Sequence, residues 1–151
     1  MDENQKTVDS YNLGALEYVS NATKNEFIRD YSWLTSGLNN VPKDAAIFEI
    51  GSGVGFEADV IENMGYVVQR SDAAVGFVDY LKISNKNVVQ FNILTDSFPS
   101  TYDVILANMV LLHFNRNELK NILYKIHSAL KPGGRLLFTV RSGEGEEWKE
   151  K

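Results

Sequence analysis

The sequence predicts an α/β fold in which a parallel sheet is covered by helices on both faces. Two observations carry this. Short, nearly continuous apolar runs alternate with stretches of helical period along most of the chain. The runs also lack the apolar/polar alternation of a half-exposed strand, so each is expected to be buried on both faces, as parallel strands are. In such sheets ligands bind beyond the carboxyl ends of the strands. The loops that follow the strands are therefore where function is expected.

The chain opens with two helical stretches. Over residues 7–19, Val8, Tyr11, Ala15, Tyr18 and Val19 share one face. Over residues 23–38, Phe27, Tyr31, Leu34 and Leu38 form a stripe that Asn39-Asn40-Val41-Pro42 ends. The pattern then changes. Residues 46–50, Ala-Ile-Phe-Glu-Ile, read as a buried strand that stops at glycines. Residues 56–64 read as a helix with Gly65 as its cap, and 66–68 as a second strand. A helix over 73–81, a third strand over 87–91 and a fourth over 103–107 follow. The helix over 115–130 has the clearest stripe, Leu119, Ile122, Leu123, Ile126 and Leu130, and Asn115 with Glu118 fits a capping box. Lys131-Pro132-Gly133-Gly134 breaks it before a fifth strand at 135–140. One domain accounts for residues 1–151: a helical cap at 1–41, an α/β core at 42–141 and a polar tail at 142–151.

Composition removes several functions. The chain has 151 residues and no cysteine, which excludes disulfides, cysteine-ligated metals and a cysteine nucleophile. No metal site is expected. No apolar run is long enough to cross a membrane, and the polar start Met1-Asp2-Glu3-Asn4-Gln5-Lys6 is no secretory signal. The net charge of −5 and the lack of a basic run argue against nucleic acid as a partner. The expected compartment is the cytoplasm.

The chemistry centres on Glu49-Ile50-Gly51-Ser52-Gly53-Val54-Gly55. Glycines at alternate positions allow a tight turn and a close approach of backbone to ligand. The following helix points its free N–H groups at the same place. Asp72 stands at the end of the second strand, 21 positions after Gly51, where a carboxylate can accept both hydroxyls of a ribose. The dinucleotide fingerprint fails, because its third small residue is Phe56 here. That argues against a nicotinamide-dependent dehydrogenase.

The five-residue form, with Glu49, Gly51, Gly53 and Gly55, resembles motif I of the class I S-adenosylmethionine-dependent methyltransferases. The resemblance continues over residues 44–141. Asp72 matches that family's ribose-binding acid, with Ala73 beside it. Asn92-Ile93 matches its adenine-contacting pair, although Asp is commoner at the first position. Tyr102-Asp103-Val104-Ile105-Leu106-Ala107-Asn108 is similar to its fourth strand. Leu130-Lys131-Pro132-Gly133-Gly134-Arg135-Leu136 is similar to its turn into strand five.

The resemblance implies a Rossmann-like sheet of order 3-2-1-4-5. It implies S-adenosylmethionine as cofactor, held by Glu49, Gly51, Ser52, Gly53, Gly55, Asp72, Ala73, Asn92, Ile93 and the Ala107 carbonyl. The family has no universal catalytic residue. Cytosine C5 chemistry is excluded by the lack of cysteine. Asn108-Met109-Val110-Leu111 also lacks the prolines of the nucleic-acid amino-methylating branch. A small-molecule acceptor is the expectation that remains.

Relatives often begin with a helix folded over the cofactor, which the stretch with Tyr11 and Tyr18 resembles. Tyr11 is therefore either a catalytic candidate there, with His113, or an ordinary core tyrosine. His113, after the fourth strand, is either a base near neutral pH or a structural histidine. His127 lies among core positions, and Glu144, Glu146 and Glu147 read as a solvated tail. Relatives usually continue past strand five. Here that strand is expected at an open edge, where a second copy could pair. The alternative to an enzyme is a non-catalytic S-adenosylmethionine-binding module completed by a partner or a further segment.

Overall fold

The computed structural model describes residues 2–24 and 29–144. Phe27, Glu146 and Glu147 lie outside the described residues. Eleven elements follow in order, counting one short 3-10 turn. They are α1 (Glu3–Lys24), α2 (Ser32–Gly37), β1 (Ile47–Ile50), α3 (Phe56–Asn63), β2 (Val68–Asp72), α4 (Val75–Ile83), β3 (Val88–Gln90), β4 (Tyr102–Asn108), a 3-10 turn (Leu111–His113), α5 (Arg116–Ala129) and β5 (Leu130–Thr139). The five strands pair in parallel in the order β3-β2-β1-β4-β5. This is the expected order, with β5 at one edge.

Every residue of β1 is buried, because both faces of the central strand are covered. On one face Ile47, Val68, Val104 and Leu106 pack with Leu34 and Leu38 of the α2 region and with Ala58 and Ile61 of α3. On the other, Phe48, Ile50, Ile105 and Ala107 pack with Ile122, Ile126 and Ala129 of α5. No helix joins β3 to β4. Instead Phe91 and Phe98 bring their rings within 5.2 and 5.3 Å of Phe48, and Tyr102 closes the group at 5.0 Å. Edge-to-face ring packing thus covers the part of the sheet that α5 does not reach.

Five elements depart from their expected bounds. The first helix runs on to Lys24, and the second keeps only Ser32–Gly37. The second strand begins at Val68, not Tyr66, because pairing starts where Val68 meets Ile47. Tyr66 instead donates its hydroxyl to the Val41 carbonyl at 2.8 Å. The strand then continues through Gln69, Arg70 and Ser71, polar residues that hide the strand in the sequence. The fourth helix is shifted to start at Val75. The expected break at Lys131-Pro132-Gly133-Gly134 lies inside β5. Leu130 pairs with Tyr102, the register slips, and regular pairing resumes at Arg135 with Val104. Phe138 of β5 is 50% exposed, and among the described residues no strand pairs with the outer edge of β5.

The capping box of α5 is present. The Asn115 side chain accepts from the amides of Asn117 and Glu118, and the Glu118 carboxylate accepts from the Asn115 amide. Asn115→Ala is expected to cost about 1 kcal/mol. Thermal unfolding of the variant should show it as a fall of a few degrees.

Candidate functional site

The carboxyl ends of β1, β2 and β4 open into a cleft of about 260 Å³, roofed by α1. Its floor is the loop after β1. Three successive residues of β2 hold that loop. The Arg70 guanidinium donates to the Gly55 carbonyl at 3.0 Å. Ser71 accepts the Ser52 amide at 2.7 Å through its carbonyl and donates its own amide to Ser52 Oγ at 3.1 Å. Asp72 Oδ2 accepts the Gly53 amide at 2.9 Å, and Oδ1 the Ala74 amide at 2.9 Å.

The three glycines of the loop all have left-handed φ, and each is required for a different reason. A Cβ on Gly51 would come within 2.5 Å of Val110 Cγ2. One on Gly55 would collide with the Arg70 guanidinium. At Gly53 no protein atom lies within 4 Å of that position, so its open side faces the cleft.

Seven of the ten expected cofactor residues line the cleft: Gly51, Ser52, Gly53, Asp72, Ala73, Asn92 and Ile93. Glu49, Gly55 and Ala107 do not. Ala107 is wholly buried in the core, and the next residue, Asn108, takes the place at the rim. Gly55 packs on Arg70 and Leu81 behind the loop. Glu49 is 1% exposed beneath it, where its Oε2 accepts the Ser52 hydroxyl at 2.6 Å and its carbonyl the Ser71 hydroxyl at 2.7 Å.

Burial pushes the Glu49 carboxyl up to about 8, against the bond from Ser52, which favours the charged form. Its ordinary value is 4.5, so the fold favours the proton-bearing acid. Stability from this group is complete below its ordinary value and is lost as pH rises toward about 8. Glu49→Gln keeps an oxygen for the Ser52 hydroxyl and cannot ionise. Wild type should therefore lose melting temperature relative to this variant as pH rises from about 4.5 to about 8, and level off above that. Parallel melting curves for both proteins across that range would show no such divergence if Glu49 were already ionised.

Asp72 is also pushed up by burial, opposed by the backbone amides of Ala74, Gly53 and Ala73. Those amides fix the direction of its oxygens. Asn92 donates its side-chain amide to Asn4 of α1 at 2.7 Å and accepts the Leu94 amide at 3.1 Å. It thus ties the turn after β3 to the helix above. Lys125 of α5 supports the same turn by donating to the Ile93 carbonyl at 2.6 Å and to the Asp96 carbonyl.

At the other end of the cleft the structure joins two residues far apart in sequence. The Tyr11 hydroxyl lies 3.3 Å from His113 Nε2, and the two rings meet edge to face. Tyr18 and Phe77 pack on Tyr11. Burial, then the neighbouring Tyr18 and Asp72, raise the Tyr11 hydroxyl above its ordinary value, and Arg141 lowers it. Met109, between Asn108 and this pair, has a φ of 56, a costly value for a non-glycine residue, held by two bonds from its amide to Thr139. His127 does not line the cleft. It is exposed on the outer side of α5, not among core positions as expected, since it lies beside the outward-facing Leu123 and Tyr124.

Sequence reasoning missed Glu57, Arg29 and Asn108. Glu57, in the first turn of α3, faces the cleft with a carboxyl raised chiefly by burial. Its Oε1 accepts Asn108 Nδ2 at 2.7 Å, and Arg29 lies 3.9 Å away. An acid in the first turn of the helix after a glycine loop was the available signal for Glu57. Arg29 had none, since it lies well before the motif.

A family model described as a methyltransferase domain matches residues 48–138, well over half of the chain. Among curated proteins, the chemotaxis protein methyltransferase Cher2 of Pseudomonas putida is 46% identical over 48 residues, 30% of this chain and 17% of that protein. Among solved structures, the DhpI–SAM–HEP complex superposes with a TM-score of 0.71 at 16% identity, over 89% of this chain and 64% of that one. The N-methyltransferase NodS from Bradyrhizobium japonicum WM9, in complex with S-adenosyl-l-homocysteine, gives 0.60 at 18% identity, over 71% and 57%. The chain thus spans less than two thirds of either solved relative's length, and these likenesses speak to the fold. With the glycine loop, Asp72 and the sheet order in place, the match over residues 48–138 settles the family: the chain belongs to the methyltransferase domain family.

Proposed function

We propose that this chain transfers a methyl group from S-adenosylmethionine to a small-molecule acceptor. The observation that carries the reading is the pairing of Gly53 and Asp72. The glycine leaves open space in the cleft, and the Asp72 carboxylate beside it lines the same cleft with its oxygens held by the Gly53 and Ala74 amides. A ribose with two free hydroxyls fits this donor set. Asn92 and Ile93 stand at one end of the cleft, where an adenine edge would lie, and Arg29 with Glu57 offers opposite charges to an amino acid at the other.

S-adenosylmethionine supplies an activated methyl on a sulfonium, which an acceptor displaces in line. The chain's task is then alignment and exclusion of water. α1 roofs the cleft, and Tyr11 and His113 stand where they can orient an acceptor by hydrogen bonds. The imidazole can also take a proton from the acceptor. Small-molecule methyl transfer is supported by the fold's likeness to NodS, an N-methyltransferase. The reading places the chain in the cytoplasm, and it includes pairing of two copies through the open edge of β5.

The test is calorimetric titration with S-adenosylmethionine, with NAD as control. Asp72→Ala should weaken binding roughly 10- to 100-fold, the range of a bond to a charged group. Transfer of labelled methyl to a panel of small amines and alcohols then identifies the acceptor. Binding of NAD in preference to S-adenosylmethionine would overturn the reading. Binding without transfer to any acceptor would favour the non-catalytic module.

A further inference from the structure

We propose that Arg70 is a positioning residue that sets cofactor affinity by holding the glycine loop from behind; this rests on the reading of the cleft as a cofactor site. Arg70 is wholly buried in the middle of β2. One guanidinium nitrogen donates to the Gly55 carbonyl at 3.0 Å. The other donates to Asp59 at 2.6 Å and lies 3.1 Å from Glu62, both on α3. The side chain therefore ties the last glycine of the loop to the helix that follows it.

Two facts argue that this is more than an ion pair within the core. First, burying a guanidinium is seldom more stabilising than packing an apolar side chain in the same volume. Here Nε is buried without a hydrogen-bond partner, so part of its desolvation goes uncompensated. Stability alone does not explain the choice. Second, Gly55 does not face the cleft, and the atom a Cβ there would strike is the Arg70 guanidinium. The third glycine of the loop thus makes room for Arg70, not for a ligand. Arg70, Ser71 and Asp72 then fasten Gly55, Ser52 and Gly53 in turn, and the open side of Gly53 is presented by a loop bonded along its back.

Three variants separate positioning from folding. Arg70→Met removes the bond to Gly55. It should still fold, because Asp59 and Glu62 are 42% and 33% exposed and keep Lys86, which lies 2.9 Å from Asp59. Arg70→Lys keeps the charge but cannot serve both sides of the fork. The double variant Asp59→Asn with Glu62→Gln removes the ion pairs and leaves the Gly55 bond. Calorimetry with S-adenosylhomocysteine should give a Kd about tenfold weaker for Arg70→Met. Arg70→Lys should fall between it and wild type, and the double variant should bind within about twofold of wild type even if it melts lower.

Hydrogen exchange on the ligand-free proteins supplies a readout that needs no cofactor. The amides of Ser52 and Gly53 should exchange faster in Arg70→Met than in the double variant. Unchanged Kd and unchanged exchange in a folded Arg70→Met would overturn the inference. So would equal weakening by the double variant, which would make Arg70 an anchor for α3 only. Failure of wild type itself to bind S-adenosylhomocysteine would overturn the cofactor reading instead, and the exchange comparison would still decide the role of Arg70 in shaping the loop.

Discussion

Gly53→Arg is expected to abolish cofactor binding while leaving the fold in place. Of the three loop glycines, this is the one at which binding can be separated from packing. A side chain at Gly51 would be driven into Val110, and one at Gly55 into Arg70, so both substitutions would disturb the core as well as the cleft. At Gly53 no protein atom lies within 4 Å of the new Cβ, so an arginine there starts into the cleft and not into the core. The backbone cost is that of a non-glycine residue at a φ of 53, about 1–3 kcal/mol. That lowers the melting temperature by several degrees and does not unfold a domain of ordinary stability. The binding cost is steric exclusion from the cleft. S-adenosylmethionine affinity should fall at least about 100-fold, or about 2.8 kcal/mol. Calorimetry together with a melting curve checks both halves. A folded variant that still binds tightly would place the cofactor somewhere other than over this loop.

Much of this was legible in the sequence, and what was not has identifiable causes. The sheet order followed from the family resemblance, and the buried strands β1 and β4 declare themselves by composition alone. β2 did not, since Gln69-Arg70-Ser71-Asp72 is polar. Its burial depends on partners supplied by the glycine loop and by α3, which are visible only after folding. The short α2 was overcalled because its apolar stripe extends past the residues that form the helix. In the site, Asp72 and the glycines were read from spacing. Glu49 was read as touching ligand, whereas it lies under the loop, since a motif marks a residue as required without telling which side of the loop requires it. The meeting of Tyr11 with His113 depends on α1 folding back across the end of β4, a long-range contact that no local pattern encodes.

Phe48→Ala should produce the largest loss of stability of any single change considered. Phe48 is wholly buried in the central strand, and its ring is the hub of the aromatic group that stands in for a helix between β3 and β4. Truncation of a buried phenylalanine costs about 3–5 kcal/mol, through lost transfer free energy and an incompletely filled cavity. For a domain of this size that is roughly 6–20 °C in melting temperature. Collapse around the cavity is limited here. The sheet above is fixed by pairing on both sides of β1, and α5 is anchored by its own stripe on Ile105 and Ala107. The segment left to move is the one carrying Phe91 and Phe98, and it also carries Asn92 and Ile93 at the rim of the cleft. The effect should therefore reach the site. Backbone amides over residues 91–98 should lose exchange protection ahead of those in β1 and β4, and cofactor affinity should weaken in the folded protein. Ala substitution at Ile61, buried on the opposite face against α2 and β1, supplies the control. It should lower stability by about 2–5 kcal/mol without selectively loosening residues 91–98. Equal loosening of that segment by both changes would mean that the aromatic group merely fills space and does not hold the adenine side of the cleft.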